Sequence, residues 1–343
     1  MSIENFLQKI LFAYSLLLLY YFLLNKEKKR PKISVFLPTY NKEKFLDKCV
    51  KSIQNQTLKD IEIIAINDNS SDNTSNILID LANNDNRIKI FNNGKNRGLL
   101  YSRAMGILKS SGEYLLNLDP DDKLVSNNNL EYLYNQTLIS KADIINFDIL
   151  DSESQNIIKK CTNYEIQKQP KLFNDLFGTD NIVYDGLIWN KLIKKEVFIK
   201  AYSFFKKEID NGRWNYFEDD IWSILVNKFA KTKLCVDHLV YKYNLNENSL
   251  MHNRTGIIEF QNLLYRHETY RKIFQKKEDE KYLIAEYYFL LNRLKEQIKD
   301  ILILNDQSIK EHILNIFQFF LRNYQCTEEQ KNDINNFLKL INK

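Results

Sequence analysis

Between Ile33 and Leu118 the chain alternates short β-branched runs with helical stripes, and this alternation restricts its fold class most. Ile33-Ser34-Val35-Phe36-Leu37 is apolar and ends at Pro38-Thr39-Tyr40-Asn41. Phe45, Leu46, Cys49, Val50 and Ile53 then recur at helical spacing. Glu62-Ile63-Ile64-Ala65-Ile66 predicts a second strand, closed by Asn67-Asp68-Asn69-Ser70-Ser71-Asp72, and Ile77, Leu78 and Leu81 predict a second helix. A strand over Ile88–Phe91, a helix over Leu99–Leu108 and a strand over Tyr114–Leu118 complete the series. Such a β-α-β-α-β-α-β order predicts an α/β fold with a mostly parallel sheet, helices on both faces and ligands at the carboxyl ends of the strands.

The polar clusters fall at those ends: Thr39-Tyr40-Asn41, then Asp68, then Asp119-Pro120-Asp121-Asp122. A single strand-end Asp is commonly a helix cap, but three clusters converging on one sheet edge describe a site. Neither G-x-G-x-x-G nor a Walker lysine motif is present, so dinucleotide and P-loop readings lose support. Asp119 and Asp121, at i and i+2 on a turn, are placed to share a hard divalent cation, Mn²⁺ or Mg²⁺, which also bridges diphosphates. The same spacing serves a solvated turn or a helix cap.

Taken together, these motifs resemble those of a family-2 glycosyltransferase with the GT-A fold. The resemblance is carried by Leu37-Pro38-Thr39-Tyr40-Asn41, Ile66-Asn67-Asp68-Asn69-Ser70-Ser71-Asp72, Asn96-Arg97-Gly98 ahead of Arg103, and Gly112-Glu113-Tyr114 running into Leu118-Asp119-Pro120-Asp121-Asp122. Trp189-Asn190-Lys191-Leu192, Phe217-Glu218-Asp219-Asp220, Tyr241-Lys242-Tyr243 and Asn248-Ser249-Leu250 resemble polysaccharide-synthesising members. The resemblance implies a Rossmann-like GT-A domain over 33–254. It also implies a nucleotide diphosphate sugar as donor, UDP-sugar favoured, and a glycan, lipid-linked or protein acceptor.

By the same resemblance Pro38, Thr39, Tyr40, Asn41, Asp68, Arg97, Arg103 and Asp119 bind the nucleotide, with Tyr40 stacking on the base and Asp68 accepting from a base N–H. Arg97 and Arg103 have surface ion pairing as their plainer role. Asp119 and Asp121 are the implied metal ligands, and Asp219 the general base of an inverting displacement. Trp189 is an acceptor platform or a core residue, Asn190 and Lys191 are pocket residues, and His252 either meets the diphosphate or metal from a loop or is structural. Asn67 departs from the family, which usually has Asp there, and keeps a catalytically degenerate binding or scaffold protein as the alternative. A nucleotidyltransferase would need a Gly-rich phosphate loop after the first strand, where Pro38-Thr39-Tyr40-Asn41 stands instead.

Phe6–Leu24 is apolar apart from Gln8, Lys9 and Ser15, and about 28 Å of helix would match a bilayer core, so residues 1–25 are expected to be a single-pass N-terminal transmembrane helix. Residues 26–32 form a basic linker in which five bases face one acid, most of the chain's net +5. Its position behind the helix predicts a cytosol-facing catalytic domain in contact with the membrane. With that excess removed, the body lacks the basic face that nucleic-acid binding needs. The 4 cysteines are too far apart for a zinc or disulfide pattern. Residues 255–343 carry helical stripes and are expected to form a helical C-terminal extension.

Overall fold

The computed structural model describes residues 30–159, 166–168, 186–211, 218–244, 307–324 and 328–341, with residues 14, 15 and 17 and short stretches between 263 and 295. The first strand, β1 (Ile33–Thr39), is buried along its whole length. Strands covered on both faces read as near-continuous apolar runs; ISVFLPT fits, and the hydroxyls of its Ser34 and Thr39 are bonded internally. α1 (Leu46–Gln54) buries Leu46, Cys49, Val50 and Ile53, one face at helical spacing. β2 (Ile61–Asn67), α2 (Thr74–Asn84), β3 (Ile88–Asn92), α3 (Leu99–Lys109) and β4 (Tyr114–Asn117) follow in the expected order. β1 pairs in parallel with β2 and with β4, and β2 in parallel with β3.

Beyond β4 the sheet departs from the expectation. β5 (Lys123–Leu124), α4 (Asn129–Ser140), β6 (Ile144–Asp151), β7 (Ile157–Lys159) and β8 (Gln167–Lys168) come next. They are followed by β9 (Lys191–Lys194), α5 (Lys195–Asn211), α6 (Glu218–Phe229) and β10 (Thr232–Tyr243). The order among the described residues is β3-β2-β1-β4-β9-β6-β10-β5, with β7 on β6 and β8 on β10. β9 runs antiparallel to both β4 and β6, and β5, β7 and β8 also pair antiparallel. The sheet is therefore mixed rather than mostly parallel.

The expected N-terminal transmembrane helix, and the single-pass anchored, cytosol-facing localisation built on it, are corrected. No helix among the described residues is long and apolar enough to cross a membrane. Of the stretch Phe6–Leu24 only Tyr14, Ser15 and Leu17 are described, and the rest lies outside the described residues.

In the C-terminal region α7 (Gln307–Asn323) and α8 (Glu328–Ile341) build a second apolar core with Leu263, Tyr287, Leu290, Leu291 and Leu294. Arg266, buried, meets Asp220 on α6 at 3.5 Å, which ties this region to the sheet domain.

At the amino ends of the strands, Ser34 Oγ donates to Glu62 at 2.6 Å and accepts the N–H of Gly112 at 2.8 Å. Burial would raise the Glu62 carboxyl, but bonds from Lys89, Ser34 and Ser111 outweigh it and hold it below the usual carboxylate value. A Cβ on Gly112 would meet the Ser34 nitrogen at 2.6 Å. Backbone cannot swing aside as a side chain can, so Gly112→Ala is expected to cost about 1–3 kcal/mol, read as a lower urea midpoint at unchanged slope.

Candidate active site

The loops after β1 and β2 are sewn together. Asn41, at φ 50, takes the left-handed conformation that Asn tolerates better than most residues. Its N–H donates to Ser70 Oγ at 3.0 Å and its side-chain oxygen accepts from the Ser71 N–H at 2.9 Å. The Lys42 N–H donates to Thr74 Oγ1 at 2.8 Å, and the Glu43 and Asn73 N–H groups reach Asp72 and Glu43. Tyr40 projects from this seam with its ring exposed, whereas Pro38 and Thr39 are buried. The Thr39 hydroxyl is taken by the Leu37 carbonyl, so these two residues shape the strand end beneath Tyr40.

Asn67 turns inward. Its amide donates to Ser75 Oγ at 2.7 Å and its oxygen accepts from the Ser70 N–H at 3.0 Å. Asn67 therefore braces the loop that follows β2. Asp68 is buried and accepts three bonds, from Asn93 Nδ2, the Arg97 N–H and the Gly98 N–H, each at 2.8 Å. It thereby anchors the loop that opens α3. The Arg97 guanidinium stacks on the Tyr101 ring at 3.9 Å and leans on the Asp210 carbonyl.

Arg103 is the hub. It projects from α3, is 1% exposed, and touches four side chains. Nε donates to Asn117 at 3.3 Å and Nη1 to Glu218 at 2.9 Å. Nη1 also donates to Asp219, and Nη2 reaches both oxygens of Asp119 at 3.2 and 3.3 Å. Arg103 is therefore not the surface ion pair of its plainer reading: the guanidinium is buried and enclosed by carboxylates. Glu218 and Asp219 open α6, where the helix macrodipole also favours negative charge. Burial pushes Asp219 up to about 7; Arg103 pulls against it, while Glu218 and Asp119 add to the rise. Burial likewise raises Glu218.

The Asp119–Asp122 turn is held from β10. The Asp119 N–H donates to the Tyr241 hydroxyl, which donates to Asp122 at 2.6 Å. Asn244 gives its N–H to Asp122 and its amide to the Asp121 carbonyl. Burial pushes Asp122 up to about 8, with Asp121 and Asp119 adding to the rise. Asp121 pairs with the ammonium of Lys42 at 2.5 Å. Among the described residues no three His, Cys, Asp or Glu side chains form a ready cation cage.

Trp189 is 9% exposed, and its ring lies against Tyr241 and, in parallel, Tyr243. Its indole N–H donates to Asp219 at 3.3 Å, so it orients that carboxylate. Asn190 and Lys191 are buried, and the Lys191 ammonium is used internally on the Leu187 carbonyl and Asn190. Phe217, Asn248-Ser249-Leu250 and His252 lie outside the described residues. Lys42, Asn117, Glu218, Tyr241 and Asn244 gain contacts that reading the sequence had not assigned to them. For Lys42 the available signal was a cation directly behind the first strand-end motif.

Residues 34–198 match the family model described as Glycosyl transferase family 2. The chain is 34% identical over 193 residues to a GalNAc(5)-diNAcBac-PP-undecaprenol beta-1,3-glucosyltransferase of Campylobacter jejuni, covering 54% of this chain and 55% of that protein. It is 36% identical over 181 residues to a cholesterol galactosyltransferase of Borreliella burgdorferi, covering 49% of each. The chain thus spans about half the length of these curated relatives. Residues 1–349 of S. aureus TarS, solved in complex with UDP-GlcNAc, superpose with a TM-score of 0.60 at 15% identity, over 91% of this chain and 90% of that one. That likeness concerns the fold. With the strand-end motifs in matching order, residues 34–198 carry the family-2 glycosyltransferase domain of this chain, on a GT-A-like fold with a mixed sheet.

Proposed function

We propose that this enzyme moves a sugar from a nucleoside diphosphate sugar, a UDP-sugar by preference, to an acceptor hydroxyl by a single inverting displacement. One observation carries the reading: Arg103 holds Asp219 and Asp119 on one buried guanidinium. A base for the acceptor therefore stands beside the turn that would face a diphosphate. An acceptor hydroxyl needs a carboxylate within hydrogen-bond reach whose pKa lies near the working pH, and Asp219, pushed up to about 7, meets that condition. Displacement on the face opposite the nucleotide gives a β-linked product from an α-linked donor.

Asp119 and Asp121 fit a divalent cation of the Mn²⁺ or Mg²⁺ type. Such ions take one or two carboxylates and complete their shell with substrate phosphates and water, so a turn without a full cage suits an ion that arrives with the nucleotide. When bound, the ion neutralises charge on the leaving nucleoside diphosphate. Tyr40 offers its exposed ring to the base, and Asp68 fixes the loop carrying Arg97. The acceptors in the relatives' names, an undecaprenol-linked glycan and cholesterol, favour a lipid-linked or lipid hydroxyl. The scaffold alternative rested on Asn67, whose bonds to Ser70 and Ser75 give it a bracing role away from Asp119 and Asp219.

A panel of nucleoside diphosphate sugars, with and without Mn²⁺, tests the proposal by thermal shift and by release of the nucleotide. UDP-sugars are expected to raise the melting temperature more with metal than without, and Asp121→Ala to abolish the metal-dependent part of the shift and turnover. Wild-type turnover by Asp121→Ala, or a product that retains the donor's configuration, would overturn the assignment.

A further inference from the structure

Lys42 is a cation placed where the proposed metal would go. Its ammonium lies 2.5 Å from Oδ2 of Asp121, with the two side chains 24% and 17% exposed. Both ends are rooted. The Lys42 backbone is held by Thr74 and follows the left-handed Asn41 in the sewn loops, while the Asp121 carbonyl accepts from Asn244. Only the four-carbon lysine stem is free to move, and its ammonium is a compact point charge that trades partners readily. An ordinary exposed ion pair is solvated and weak; this one is largely enclosed and is built by two separate loops.

A divalent cation binding Asp121 through that oxygen must displace the ammonium. A diphosphate arriving with the cation supplies the ammonium with a new anion on the same side of the turn. We propose that Lys42 is a resident counter-cation that shields Asp121 from free divalent metal and passes to the diphosphate when the donor binds, making metal uptake conditional on donor. The inference rests on the metal–diphosphate reading of this site and adds an order to it: the empty enzyme binds free metal poorly, and nucleotide and metal enter together. Because coupling between two ligands is reciprocal, whatever Lys42 takes from metal affinity in the empty site it returns when the nucleotide draws it away.

The test measures binding on the full chain. Mn²⁺ affinity is read by electron paramagnetic resonance without nucleotide, and UDP affinity by calorimetry without metal, for wild type, Lys42→Met and Lys42→Arg. Lys42→Met keeps the stem and removes the charge. Its nucleotide-free Mn²⁺ dissociation constant is expected to fall by about fivefold or more, the lower end of measured couplings, while its metal-free UDP constant rises. Lys42→Arg, which keeps a cation, is expected to bind free Mn²⁺ as weakly as wild type, and equal melting temperatures check that folding is intact. If Lys42→Met binds free Mn²⁺ no more tightly than wild type, while wild type binds Mn²⁺ in the presence of UDP, this inference alone is overturned. If wild type binds no Mn²⁺ even with UDP, the metal reading of the site fails and takes the inference with it.

Discussion

Replacing Arg103 with methionine is expected to remove about 3–5 kcal/mol of stability, the usual cost of breaking a buried ion pair from one side. A domain's whole stability is about 5–15 kcal/mol, so this is the most damaging single change in the site. The cost comes from what is left behind. Asp119, Glu218 and Asp219 all lean on this one guanidinium, and the variant leaves them facing one another. Lysine is not expected to rescue, because one ammonium lacks the planar fork that reaches several carboxylates at once. Neutralising the partners should rescue in part: Arg103→Met combined with Glu218→Gln and Asp219→Asn should recover some of the loss, as coupled neighbours do. Urea unfolding followed by circular dichroism measures both effects. A midpoint for Arg103→Met close to wild type would show that the hub carries little of the fold's stability.

Asp219→Asn is expected to act on rate instead. The amide keeps the shape and can still meet Arg103 through its oxygen, but it cannot take a proton, and a positioned general base contributes about 10²–10⁴-fold. The donor KM should hold while kcat falls by that factor. The pH profile adds a second readout. The base works only when ionised, and burial pushes Asp219 up to about 7, so wild-type kcat/KM should fall about tenfold per pH unit on the acid side of that value. The inflection belongs to Asp219 and Glu218 together, since they share Arg103. The residual activity of Asp219→Asn should lack that limb. A variant with wild-type kcat, or one that keeps the same acid limb, would move the base elsewhere.

The first four strands and three helices were legible because each is a local pattern: a buried parallel strand is a largely apolar run, and a helix repeats its apolar residues at a fixed spacing. The convergence of Asp68, Asp119 and Asp121 followed from the rule that places ligands at strand ends. The buried contacts of Arg103 were not legible. Its partners Glu218 and Asp219 lie 115 and 116 positions away, and no local pattern records such a pairing. The loop contacts of Asp68 were hidden for another reason. Two of its donors are backbone N–H groups, which every residue but proline carries and which side-chain identity does not reveal. β9 is four residues with only two apolar positions between lysines, too short for periodicity to show its direction. Apolar run length at Phe6–Leu24 matched a bilayer core, but length and hydropathy alone do not establish a spanning helix.

β9 also sets an order in time. It is the strand between β4 and β6, and it begins at Lys191, well after β4 ends at Asn117. A growing chain must therefore hold the inner edge of β4 open while the residues between are made, a wait of several seconds at about 5–20 residues per second. Through that interval Tyr114-Leu115-Leu116 presents unpaired backbone beside apolar side chains, the kind of edge that recruits other chains. Closure then brings chemistry with it, because Trp189 sits two residues ahead of β9 and donates to Asp219. The nascent chain thus covers its open edge first, and the indole that will meet Asp219 is in place before α6 is made.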